Sequence, residues 1–244
     1  MSEKQGQIRR CSVSHKPCAS DHDSRGAVPS PKAAAPHDNA GLAAYENAVR
    51  ACYHDNGEAY FQKTVDIDPG PIIRPLLAYL RKGAAILDIG CGSGRDLRWL
   101  SDRGYAARGL ERSPSLAALA RSHSGCPVTI GDFGETDFSA FRPDGISMDG
   151  ILMIGSLVHQ PPERMPALLS RISAALHHGG SGLLSLKYGE GMRLSADGRP
   201  YYQWTEETLS ALITDAGLEI REINRQTSQL SDREKWIAAI FRRP

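Results

Sequence analysis

The clearest chemistry in this 244-residue chain lies in three glycines and two acids. Asp88-Ile89-Gly90-Cys91-Gly92-Ser93-Gly94 closes a short apolar run, and Glu111 stands 21 positions after Gly90. Glycines let the backbone turn sharply and let a ligand approach it closely. A carboxylate at the end of the next strand can accept both hydroxyls of an adenosine ribose. The dinucleotide fingerprint G-x-G-x-x-G would need glycine at position 95, where Arg95 stands, and no G-x-x-x-x-G-K-[ST] loop occurs. Asp88 would repel a pyrophosphate and attract a ligand carrying ammonium and sulfonium charge. Together these features point to S-adenosylmethionine (SAM), with S-adenosylhomocysteine as its product.

Such a loop must be held by regular elements, and the pattern supplies them. Residues 41–63 read as a helix broken near Asn56-Gly57, and a second helix fits Ile72–Arg81. Strands fit 85–90, 105–111, 127–133, 148–156, 181–188, 218–224 and 235–242. Helices fit Asp96–Arg103, Ser113 to about Ser122, Pro162–His177 and Thr205–Ala216. The 148–156 run is almost wholly apolar, as a strand covered on both faces should be. Strand–helix alternation implies parallel pairing with right-handed crossovers. The short link 225–234 implies an antiparallel hairpin at the end. The expected fold is α/β: a Rossmann-like, doubly wound sheet of seven strands, mostly parallel, with the last strand antiparallel.

The first forty residues are of different composition, with Ser, Pro, Ala, His and charge but almost no large aliphatics. They read as a disordered tail (1–40) before a single domain (41–244). Cys11, His15, Cys18 and His22 in that tail match no compact zinc spacing, and Asp149 stands alone where metal-dependent chemistry would want clustered carboxylates, so no metal is expected. The chain holds 29 Lys plus Arg against 28 Asp plus Glu, a formal net charge of +1. The tail takes six cations and four acids of that total, which leaves the folded body at about −1. This balance argues against nucleic acid as a partner. No apolar run is long enough to span a bilayer, so no membrane is expected. Five scattered cysteines suggest a reducing, cytoplasmic setting. The chain is expected to be a monomer or homodimer.

ILDIGCGSGRD (86–96), GLERS (109–113), GDF (131–133) and DGILMIGSLVHQ (149–160) resemble the successive motifs of class I SAM-dependent methyltransferases. YFQKTVDID (60–68), SLKYGEG (185–191), DGRPYY (197–202) and REKWIAAIFR (233–242) resemble a bacterial subgroup grouped with the tellurite-resistance methyltransferases. The resemblance implies that Gly90, Cys91, Gly92 and Gly94 lie against the methionine part of SAM, with Asp88 reaching its ammonium through water. It gives Glu111 the ribose hydroxyls and sets Arg112 beside the adenine. Asp132 would take the adenine amino group, and the Phe133 N–H would reach the ring. The backbone carbonyl near Met153 or Ile154 would face the ammonium, and Tyr60 and Thr64 would form a lid. The sequence departs from the family pattern at Glu111-Arg112 and at Leu152–Gly155, which affect the adenine edge and the acceptor pocket.

Methyl transfer from a sulfonium is an in-line displacement that mainly needs orientation, plus a base for a hydroxyl or protonated amine. His159 and Tyr188 are the candidate catalytic groups, each close to the end of an apolar strand. His159 could equally pack against the following helix. Lys187, Arg193 and Arg199, with Tyr201 and Tyr202, would suit a small anionic or chalcogen-bearing acceptor. Trp99 and Trp236 are expected in the core. The [N/D/S]-P-P-aromatic signature of base methylation is absent, since Asp149-Gly150-Ile151-Leu152 occupies its place. The expected activity is methyl transfer from SAM to a small-molecule acceptor. The alternatives are a SAM-binding, non-catalytic scaffold or regulatory subunit, and a methyltransferase acting on peptide or protein.

Overall fold

The computed structural model describes residues 39–139, 145 and 147–244. Cys11, His15, Cys18 and His22, and all but the last two residues of the tail, lie outside the described part. The N-terminal helical stretch is indeed broken at Asn56, into α1 (Asn39–Asp55) and α2 (Gly57–Thr64). Helix α3 (Gly70–Leu77) follows, with a proline in its first turn and Ile73 and Leu76 fully buried.

Strand β1 (Ala85–Ile89) is buried at every residue, and β4 (Met148–Ile154) is buried at all but its last. Between them the chain forms α4 (Arg95–Ser101), β2 (Ala106–Glu111), α5 (Pro114–Ser124) and β3 (Val128–Ile130). Ser113 caps α5 by accepting the Leu116 N–H, in the preferred N-cap geometry. After β4 come α6 (Met165–Ser173), β5 (Leu176–Tyr188), β6 (Met192–Leu194), β7 (Pro200–Trp204), α7 (Glu206–Asp215), β8 (Glu219–Thr227) and β9 (Lys235–Arg242). A reciprocal box between Thr205 and Thr208 starts α7.

The strand order is β3-β2-β1-β4-β5-β7-β6, and β9 runs antiparallel between β5 and β8. The strands that carry crossovers pair in parallel, so the doubly wound, mostly parallel sheet with a returning last strand is present. Alternate residues feed opposite cores. Leu87 and Ile89 of β1, Ile151 and Met153 of β4, and Ile237 and Ala239 of β9 pack on one face with α6 and α7. Ile86, Leu152, Ala238 and Ile240 pack on the other with α3, α4 and α5.

Two expectations are corrected. The sheet has nine strands among the described residues rather than seven, because the stretch 192–204 folds into the β6–β7 hairpin. An Asp197-Gly198 turn between short alternating runs is a hairpin signal that marks it. The expected helix 162–177 is a single 3-10 turn (Pro162–Arg164) followed by α6, which ends at Ser173. Residues 176–180 instead open β5. Leu176 pairs with Met148, and the chain terminus closes the strand through Gly179 N–H to Arg243 O and Arg243 N–H to Gly180 O.

Candidate active site

The parallel register brings the carboxyl ends of β1, β2 and β4 side by side, with Asp88 between Gly109 and Leu152. There the glycine loop turns. Gly90 has φ 72°, and a Cβ on it would stand 2.5 Å from the Ser156 Cβ. Only glycine meets both demands. Gly94 has φ 76° and leads into α4 while resting on the backbone of Ala120 in α5. Tyr60 of α2 covers the loop, with its Cε1 3.1 Å from a Cβ built on Gly92. Thr64 donates to the Tyr60 carbonyl at 2.8 Å, as its neighbour one turn on.

Glu111 is buried at the end of β2 and accepts N–H bonds from Gly92 at 3.0 Å and Ser113 at 2.8 Å. Burial raises its pKa, while those two N–H groups pull it back. Asp88 is 2% exposed, and its Oδ2 has no hydrogen-bond partner. Burial, with Asp96 as a second negative neighbour, pushes the Asp88 carboxyl well above its ordinary value, against the pull of Arg95. An unpartnered buried carboxylate beside a glycine loop suits a ligand cation. Burial likewise drives the Cys91 thiol up, so it packs as a neutral side chain. Arg112 and Asp132 bind each other at 3.2 Å, and Asp132 also accepts the Gly134 N–H at 2.7 Å. Phe133 packs against the core, and the Met153 residue is fully buried in β4. The donors and the cradle fit SAM: an acid for the ribose, a free carboxylate oxygen for the ammonium, and a backbone turn closed to side chains.

A cavity of about 990 Å³ opens beyond this loop. Tyr60, Arg95, Ile154 and Gly155 line it, which sets it against the loop and the end of β4. Thr64, Lys187, Tyr188, Arg193, Arg199 and Tyr201 also line it. Tyr202 is instead buried. Lys187 pairs with Glu234, and its Nζ lies 4.0 Å from the centre of the Trp236 ring. Trp236 therefore walls the cavity, whereas Trp99 sits in the core under the Arg103 guanidinium as expected. Trp236 also packs against the core, as expected of a residue in the apolar β9. It stands near the start of that strand, where the strand leaves the sheet's covered middle.

His159 does not line the large cavity. It is 8% exposed, with Nδ1 2.5 Å from the Pro200 carbonyl and Nε2 3.1 Å from the Tyr53 hydroxyl. The first contact places the ring proton on Nδ1, so Nε2 accepts from Tyr53. Burial lowers its pKa to about 3. Arg199 Nη1 donates to the Tyr53 oxygen at 3.4 Å. Tyr53 itself lines the cavity and was missed in the sequence, since α1 carries no motif. The Tyr188 hydroxyl accepts from Arg225 at 3.0 Å.

Known proteins bear on this geometry. Residues 86–180 match the family model described as a methyltransferase domain. A carboxy-S-adenosyl-L-methionine synthase of Chromohalobacter salexigens is 33% identical over 120 residues, 45% of this chain and 42% of that protein. The Bos taurus tRNA N(3)-cytidine methyltransferase METTL2 is 28% identical over 191 residues, 65% of this chain and 50% of that protein. The chain thus spans half or less of the length of these curated relatives. The fold matches the Burkholderia thailandensis 1,6-didemethyltoxoflavin-N1-methyltransferase, solved with its acceptor and S-adenosylhomocysteine. Its TM-score is 0.64 at 24% identity, over 86% of this chain and 91% of that one. The tRNA relatives overturn the expected exclusion of nucleic acid together with its small-molecule-only partner. The reason is physical: a whole-body charge near zero does not describe a local surface, and Lys63, Arg193, Arg233 and Lys235 all line the cavity. Among the described residues no helix is long and apolar enough to cross a membrane. Residues 86–180 thus match a methyltransferase domain, on a fold shared with solved SAM-dependent methyltransferases.

Proposed function

We propose that the chain transfers the methyl group of SAM to an acceptor seated in the 990 Å³ cavity. The carrying observation is that Tyr60, Arg95, Ile154 and Gly155 serve both the edge of the glycine loop and the wall of that cavity. SAM, when bound, supplies an electrophilic methyl on a sulfonium. The protein's part is orientation and exclusion of water. Glu111 and the loop hold the nucleoside end, and Asp88 faces the ammonium. Tyr60 closes the loop from above with a phenol raised to about 12 by burial, so it stays neutral. Met153 offers backbone rather than side chain, and Arg112 with Asp132 frames the adenine edge.

Of the two expected catalytic groups, Tyr188 keeps its place at the cavity wall. His159 is assigned to positioning: neutral and bonded at both nitrogens, it fixes Tyr53 toward the cavity. The acceptor's class stays wide, because relatives act on tRNA. Membership of the tellurite-resistance-like subgroup and a cytoplasmic setting belong to the same reading. The latter is supported by three buried free cysteines among the described residues. The test is transfer of label from methyl-labelled SAM into fractionated metabolites, RNA and protein. A labelled product in one fraction supports the reading. SAM binding without transfer into any fraction would favour the scaffold alternative.

A further inference from the structure

We propose that the acceptor is a planar aromatic or heteroaromatic ring carrying an anionic group, with the ring stacked near Trp236 and the anion toward the exposed rim. This rests on the methyl-transfer reading above. Five aromatic side chains line the cavity, each from a different element: Tyr53 of α1, Tyr60 of α2, Tyr188 of β5, Tyr201 of β7 and Trp236 of β9. Rings converging from five elements offer flat, polarisable walls that favour a flat guest. Trp236 sits beside the reacting region. Its Cη2 is 3.2 Å from a Cβ built on Gly155, the residue just after β4.

The inner cations are already matched. Lys187 pairs with Glu234 and lies over the Trp236 and Tyr201 rings, at 4.0 and 5.1 Å. Arg199 pairs with Asp197 and lies over Tyr53 and Tyr201, at 5.6 and 5.5 Å. These pairs hold the rings in place. The exposed rim differs. Lys63, Arg193, Arg233 and Lys235 face only Asp68 and Glu190 among the exposed charged lining residues, an excess of two positive charges. A ring deep in the cavity with its anion at this rim meets both features at once. Two sources share that chemistry: a free heteroaromatic acid, or one nucleotide of an RNA swung out of its stack.

The experiment is a binding series on the full chain preloaded with S-adenosylhomocysteine, read by tryptophan fluorescence. Trp99 and Trp204 are buried, so Trp236 reports the cavity. The probes are cytidine and adenosine monophosphates, the parent nucleosides, quinoline-2-carboxylate, succinate and a short single-stranded RNA. The proposal expects the aromatic anions to bind about tenfold or more tighter than either the neutral nucleosides or succinate. Trp236→Leu, which removes the reporter and is therefore titrated by calorimetry alongside the unmutated protein, should lower that affinity by about tenfold while S-adenosylhomocysteine affinity holds within about threefold. RNA binding tighter than the mononucleotides assigns the RNA source, and the reverse order assigns the free acid. Equal binding of succinate and the aromatic anions by the unmutated protein overturns the proposal, whether or not the variant folds. Failure to load S-adenosylhomocysteine overturns the methyl-transfer reading instead.

Discussion

The Tyr53 hydroxyl donates to Nε2 of His159 across 106 residues of sequence, and the other ring nitrogen is held by the Pro200 carbonyl. The bond from Tyr53 requires a neutral imidazole, because Nε2 must accept it, while the Nδ1–H donates to the carbonyl in either state. Burial lowers the pKa of His159 to about 3, whereas an unfolded histidine titrates near 6.5. Below about pH 6.5 the unfolded chain therefore binds a proton that the folded chain refuses. Stability should fall as pH drops from about 6.5 toward 3, by up to about 1.4 kcal/mol per pH unit. Asp88 and Glu111 act in the opposite sense, because their raised values make the folded state take up protons first. The difference between the unmutated protein and His159→Gln isolates the histidine. Urea unfolding at pH 7.5 and 5.5 should show a steeper loss in the unmutated protein. Parallel losses would place His159 in solvent.

Two glycines separate backbone strain from collision. Gly83 and Gly90 have nearly the same φ, 71° and 72°, yet a Cβ on Gly83 would come no closer than 3.9 Å to its nearest neighbour. Gly83→Ala should cost about 1 kcal/mol, the left-handed backbone penalty alone. Gly90→Ala should cost about 2–4 kcal/mol, because its Cβ meets that of Ser156 at 2.5 Å. Thermal and urea unfolding of both variants checks the gap.

Asp149 stands at the start of β4, away from the ligand end of the sheet. It accepts the Ala85 N–H at 2.7 Å, two bonds from Arg81 and one from His177. Burial alone would raise its pKa, but the Ala85 N–H, Arg81 and His177 outweigh that and hold it below the usual value. Its stabilising contribution is therefore present above about pH 4 and is lost as pH falls through the lowered value. Asp149→Asn should destabilise the fold by about 2–3 kcal/mol at pH 7 and leave S-adenosylhomocysteine binding unchanged. Arg81→Ala should cost under about 1 kcal/mol, since that side chain is 66% exposed. A larger loss of ligand affinity than of stability would contradict this structural placement.

The turn of the glycine loop and the place of Glu111 at the end of β2 were legible because they depend on local spacing: a strand, a turn and an acid one strand on. The helix break at Asn56 and the last hairpin were legible for the same reason. What lay hidden depends on contacts distant in sequence. His159 resembled a base because it follows β4, but its partners are 41 and 106 residues away. Trp236 read as core and does pack there, but its second role as a wall of the cavity was hidden. The β6–β7 hairpin carries short runs whose pairing only the sheet edge completes. Charge counted over the whole chain likewise averaged away the cationic rim.

The central claim is that Glu111 and the glycine loop bind the nucleoside end of SAM. Calorimetric titration of S-adenosylhomocysteine into the unmutated chain and into Glu111→Ala tests it most directly. The account predicts saturable one-site binding that the substitution weakens by more than about tenfold, as loss of a charge-assisted ribose contact should. Absence of binding by the folded unmutated chain, or equal affinity in the variant, would contradict it.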